Sequence, residues 1–182
     1  MTGVIPKPPA PPIPPTAFNT FTITHVGPID ENFVNAIINI VNSFKSMPDE
    51  LIISISSGGG SVMHGITAYN YLKSLPCIVH THNMGEVSSS AILPYLAGSV
   101  RSADRIAKFM FHPVTVGLNE QMTYPKFQEL LSMLEKDINN YAAIVQKEAP
   151  VLCSRHDIIS VLKHDTLVLT PAEGLELGLL TL

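Results

Sequence analysis

The chain has 182 residues, enough for a single domain whose core needs no disulfide or metal staple. Charged residues make up 14% of it, well below the ~25% of a typical soluble domain, so much of the surface is uncharged, as suits a subunit of an oligomer. A net charge of −4 argues against a nucleic-acid partner, no apolar run reaches the ~18 residues of a membrane helix, and Cys77 and Cys153, with neither CxxC nor zinc spacing, point to a reducing, cytoplasmic compartment.

In chain order, Met1–Phe18 (MTGVIPKPPAPPIPPTAF) comes first. Proline fixes φ and removes donors, so this stretch reads as a flexible or extended leader, distinct from a folded domain over residues 19–182. Phe21–Val26 reads as a strand, and Asp30 caps a helix lined by Phe33, Ile37, Val41 and Phe44. Leu51–Ser56 is a second strand, Ser57–Ser61 a tight turn, and Val62–Leu75 a helix. Cys77–Asn83 is a third strand. Gly85 then reads as a second turn, opening a small-residue stretch and a helix that runs to Ala97. Arg105–Phe111 is a strand that ends at His112.

A long amphipathic helix is expected from Tyr124 to Glu148, with Phe127, Leu130, Leu134, Ile138, Tyr141 and Val145 as its inward stripe. Ser154 to Asp157 reads as the cap of a shorter helix. Leu167–Leu169 returns to strand, and Thr170-Pro171-Ala172-Glu173 is a capping box for a last helix closed by Gly178. Strands separated by helices predict an α/β fold with a parallel sheet.

Both glycine segments, Ser56–Val62 and Gly85–Ala91, sit between a strand and a helix, where backbone N–H groups gather at a helix start. Two such donors are what an oxyanion hole requires. The first segment lacks the glycine spacing of a dinucleotide loop and the Lys-Ser/Thr of a P-loop, and nothing points to a nucleotide, coenzyme A or other cofactor. Ser88, Ser89 and Ser90 suit helix capping, or nucleophilic attack if a base lies near. His112, at a strand end, is the candidate base. His80 and His82 share one strand face, but no third ligand follows at metal spacing, so no metal site is expected. An acid to orient His112 is sought in Asp165, which lies in a loop, whereas Asp157 reads as a helix cap.

Taken together, these segments resemble the proteolytic subunit of the Clp protease, within the crotonase-like superfamily. The resemblance spans about Thr22 to Leu180. Ile55–Val62 is similar to the family's Asn-Ser-Pro-Gly-Gly-Ser-Val, with Gly58 where proline is common. Gly85–Ala91 is similar to its Gly-x-Ala-Ala-Ser-x-Gly/Ala, a register that makes Ser89 the nucleophile. The separation of Gly60 from Ser89 equals the family's interval. Phe109–Pro113 is similar to its apolar strand ending in the catalytic histidine, and Leu169–Leu179 to its closing segment. The family's acid falls on Asp165 if a short gap preserves the Asp-Thr pair, and on Leu162 without one.

The resemblance implies repeated β-β-α units, a parallel sheet and a protruding handle over about 118–148, strand-like at its start. It implies a serine endopeptidase in which Ser89, His112 and Asp165 form the triad. Gly60 and Ser90 N–H groups would bind the oxyanion, and Gly59 and Ser61 would flank a substrate strand. Substrates would be unfolded polypeptides or short peptides. The oligomer would be a ring, stacked in pairs, served by an AAA+ unfoldase, although the Pro-rich leader is unlike the family's usual pore-gating start. Pro94 should bend the helix after Ser89 or delay its start. The competing readings are another hydrolase or acyl-CoA enzyme on the same fold, a structural subunit with a failed triad, and a Ser–Lys enzyme for which no lysine has a comparable place.

Overall fold

The computed structural model describes residues 18–117 and 121–182. Of the leader only Phe18 falls among them, so the expectation of a flexible leader lies outside the described residues.

β1 (Thr20–Val26) leads to α1 (Glu31–Ser43), where the Asp30 carboxylate accepts the Phe33 N–H at 2.9 Å and so satisfies an otherwise orphaned donor. β2 (Glu50–Ser57) follows, then α2 (Val62–Lys73), capped by Ser61. β3 (Ile78–Ser88) is the longest strand. A single 3₁₀ turn, Ser89–Ala91, precedes α3 (Ile92–Leu96). Two short strands come next, β4 (Val100–Ala103) and β5 (Lys108–Phe111). The long α4 (Tyr124–Glu148) is followed by α5 (Pro150–Arg155) and α6 (Ile158–His164). β6 (Leu167–Leu169) and α7 (Pro171–Glu176) complete the described chain, and α7 carries the full Thr170–Glu173 capping box.

The strands form one sheet in the order β1-β2-β3-β5-β6, with β4 also paired to β3. Every pairing is parallel except β5 with β6. Leu51, Ile53 and Ile55 on β2, and Val79 on β3, are buried and join the hydrophobic core with Phe33, Ile37 and Leu72 from the helices. The alternate positions of β3, His80 and His82, are only partly covered.

Three expectations need correction. Gly85 does not begin a turn, because β3 runs through it to Ser88. The β2–β3 register shifts between Ile55 and Ser57, and buried Asn83 stitches the irregularity, donating to the Lys108 carbonyl and accepting the Gly85 N–H. There β3 changes neighbour, from β4 to β5. The strand expected over Arg105–Phe111 is shorter, and β4 precedes it. Arg101 lies buried on β4, where its guanidinium donates to the carbonyls of Gly98, Glu148, Gly178 and Leu179. Finally, the α4 stripe is fully inward only in its second half. Ile138, Tyr141 and Val145 are buried, Leu130 and Leu134 are half-buried and Phe127 is exposed, as are Leu131 and Met133 off the stripe. Residues 121–123 form no strand, and 118–120 lie outside the described residues.

Pro94 is accommodated by a late helix start. The α-helix begins only at Ile92, so Pro94 stands in its first turn, where an N–H would have no intrahelical partner. Among the described residues no helix is long and apolar enough to cross a membrane.

Candidate active site

β3 delivers Ser89. The chain leaves the strand at Ser88 and turns at once, and Ser89 is the one non-glycine residue with positive φ (+54°) among the described residues. Such a conformation costs roughly 1–3 kcal/mol and persists only where its surroundings over-determine it. Gly59 supplies part of that constraint. A Cβ there would lie 2.5 Å from Ser89 Cβ and 2.9 Å from the Ser88 carbonyl oxygen, so only glycine permits this approach. The three neighbouring hydroxyls differ in access. Ser88 is fully buried and donates to Glu86 Oε1 at 2.7 Å, and Ser90 is fully buried with no partner for its Oγ among the described residues. Ser89 lines an open cleft.

That cleft, about 230 Å³, brings together Ser89, His112, Gly60 and Ser61 with Met63, Leu134 and Asp137. A larger cavity of about 590 Å³, between α4 and the α5–α6 segment, holds none of the first four. The candidate site is therefore the smaller one. Gly60 is fixed by a bridge to Ile29 that uses the Gly59 carbonyl and the Ser61 N–H, which leaves Gly60's own N–H out of the pairing. Ser90 N–H lies in the first turn after β3, where no intrahelical acceptor is available.

His112 follows β5, and its Nδ1–H donates to the Pro113 carbonyl at 2.8 Å. A carbonyl can only accept, so the proton sits on Nδ1 and a neutral ring keeps its Nε2 lone pair free. That is the tautomer a general base needs. Among the described residues no hydrogen bond joins Ser89 Oγ to His112, a looseness common before substrate binds. Asp165 caps the end of α6, exposed, and its carboxylate accepts the Thr166 N–H at 2.7 Å. Neither a hydrogen bond nor an ion pair links it to His112 among the described residues. Leu162, the other alignment of the acid, is buried, and its carbonyl accepts the Val114 N–H at 2.9 Å. The carboxyl group that does line the cleft is Asp137 on α4, whose pKa burial pushes up. His80 and His82 both bond Ser102 Oγ, at 2.7 and 2.9 Å, away from this cleft.

A model of the Clp protease family matches residues 13–181. The chain belongs to the Clp protease family. Its fold is similar to that of a point mutant of ClpP1 from Listeria monocytogenes, with a TM-score of 0.74 at 18% identity over 87% of this chain and 88% of that one. No relative among the curated proteins matches the sequence. Membership in a Clp protease family makes this chain a member of a peptidase family, with the mixed sheet and long helix of the Clp proteolytic fold.

Sequence reasoning missed Asp137 in the cleft and the Tyr141 hydroxyl behind Ser89. Asp137 flanks the apolar stripe of α4 and looks like an ordinary solvated residue. Tyr141 was assigned to that stripe for its ring, yet its hydroxyl donates to the Ser89 carbonyl at 2.6 Å. The only signal was the spacing, since Leu134, Asp137 and Tyr141 fall on one helix face.

Proposed function

We propose that this chain is a serine endopeptidase that cleaves unfolded polypeptides or short peptides inside a cytoplasmic ring of its own copies, the rings stacked in pairs through α4. Ser89 Oγ attacks the peptide carbonyl while His112 Nε2 takes its proton. The Gly60 and Ser90 N–H groups bind the oxyanion, and His112 returns the proton to the leaving amine. Water then hydrolyses the acyl-enzyme by the same route. The substrate lies extended beside Gly59 and Ser61, pairing as an added strand. The exposed apolar residues on the first half of α4 give a second copy a surface to cover. An AAA+ unfoldase that feeds the ring belongs to the same reading. Asp165 enters as the acid only if His112 leaves the Pro113 carbonyl. Until then the tautomer is held by backbone.

The observation that carries this reading is the shared cleft. Of three consecutive serines, the one held at positive φ opens onto His112 and onto Gly60, whose N–H is left out of the Ile29 bridge. Intact-mass labelling with a fluorophosphonate tests it. The native protein should take up one label per subunit, and Ser89→Ala and His112→Ala should each abolish uptake. Labelling that persists in Ser89→Ala would sink the assignment. The absence of a carboxylate on His112 among the described residues favours a second reading, a structural ring subunit, which predicts a folded oligomer that takes no label at all.

A further inference from the structure

Tyr141 lies 52 residues from Ser89, on a helix that supplies no reacting group. Its side chain is almost wholly buried, and burial pushes its pKa well above the ordinary tyrosine value, so the hydroxyl stays protonated and can donate. The acceptor is the carbonyl of the one residue held at positive φ. That carbonyl also accepts from the Ile92 N–H, a bond divided with the Ser90 carbonyl. The 2.6 Å bond from Tyr141 is its short hold from a side chain.

The consequence follows from the planarity of the peptide. In a trans peptide the C=O of one residue and the N–H of the next point in opposite directions and rotate together. Fixing the Ser89 carbonyl on Tyr141 fixes the Ser90 N–H on the far side of the same plane. We propose that Tyr141 is a positioning residue that aims the Ser90 N–H, through the Ser89–Ser90 peptide, at the place where substrate negative charge develops. This rests on the reading of Ser89 as nucleophile. It goes beyond that reading in assigning α4 a part in transition-state binding as well as in packing.

Tyr141→Phe keeps the ring and deletes only the donor. Crystal structures of the native oligomer and the variant give the first readout. The proposal expects the Ser89–Ser90 peptide to rotate, with Ser89 ψ and Ser90 φ changing together. A peptide that stays in place overturns it whether or not the protein is active. The second readout is kinetic, with a short fluorogenic peptide. Removing an oxyanion donor costs about 10²–10³-fold, so misaiming one should lower kcat by about 10–100-fold with KM little changed. Affinity for a peptide boronate, which presents a tetrahedral oxygen, should fall by the same factor, while affinity for the product peptide should not. Equal losses for boronate and product, or unchanged kcat, would reduce Tyr141 to packing. Failure of the parent reading looks different, since the native oligomer would then take no fluorophosphonate label, or activity would survive Ser89→Ala.

Discussion

The two sides of the cleft are built to different standards. On the nucleophile side, Ser89 is trapped between Gly59, whose backbone touches it, and Tyr141, whose hydroxyl holds its carbonyl, and its positive φ is the visible cost. On the base side, His112 is held by a single bond to the carbonyl of the next residue, and the acid favoured by sequence is occupied elsewhere with the Thr166 N–H. The contrast teaches which part of the chemistry the monomer fold specifies by itself. Close packing beside Gly59 and the Tyr141 hydrogen bond fix Ser89 and the peptide that follows it. Among the described residues the imidazole is given a tautomer but no paired carboxylate, so under the proposed mechanism the imidazolium would go without the stabilisation of a full triad.

The largest effect should come from breaking the tight side. Gly59→Ala places a methyl group 2.5 Å from Ser89 Cβ and forces alanine into positive φ, so either Gly59 or Ser89 must shift. A displacement of about 1 Å in a reacting atom can cost about 10²-fold, and the rate of fluorophosphonate uptake should fall at least that far. Gly58→Ala is the matched control. A Cβ there meets nothing within 4 Å, so uptake and melting temperature should stay near native. If the two variants behave alike, the tight approach does not position the nucleophile.

Asp165→Asn probes the loose side. In a formed Ser-His-Asp triad the corresponding change costs about 10⁴-fold, because the histidine is left in the wrong tautomer. Here the Pro113 carbonyl already enforces the tautomer, so kcat should fall less than about 3-fold while the triad stays unformed. A loss of thousands-fold in the assembled protein would mean that His112 turns from Pro113 to Asp165 on assembly. The base side would then be completed by the oligomer rather than by the chain.

The same contrast explains what the sequence could tell. α4 was legible to its bounds because Thr123, Pro125 and an apolar stripe mark it locally, and so was the last helix through Thr170 and Glu173. Ser89 stood out through its register in the resemblance and His112 because it ends a short apolar strand, and both line one cleft. β4 was not, since Val-Arg-Ser-Ala has no strand pattern and is recruited by pairing with His80–Asn83. Gly85 was misread because a glycine in a bulge and a glycine in a turn look alike before the partner strand is known. The hydroxyl of Tyr141 and the carbonyl of Pro113 act through contacts that side-chain patterns do not encode. No local rule predicts a hydrogen bond across 52 residues.

The smallest effect is expected at Asp137, which decides whether the loose side has a carboxylate after all. Burial raises its pKa, and among the described residues no cation or donor pairs with it, so ionising it costs stability in the folded state. The native form then binds a proton more readily than the unfolded chain does. Between the ordinary Asp value of about 3.9 and the raised folded value, stability falls as pH rises, and the penalty is complete above that window. Asp137→Asn should therefore melt slightly higher than the native protein at pH 8, and the gap should shrink as the pH is lowered toward 4. Thermal melts across that range read the sign directly. A variant that melts lower at pH 8, with kcat reduced in step, would show that the Asp137 carboxylate is paired in the assembled protein. The partner within reach of the same cleft is His112. In that case α4 would supply the acid as well as the Tyr141 hydroxyl, and the asymmetry between the two sides of the cleft would belong to the isolated chain alone.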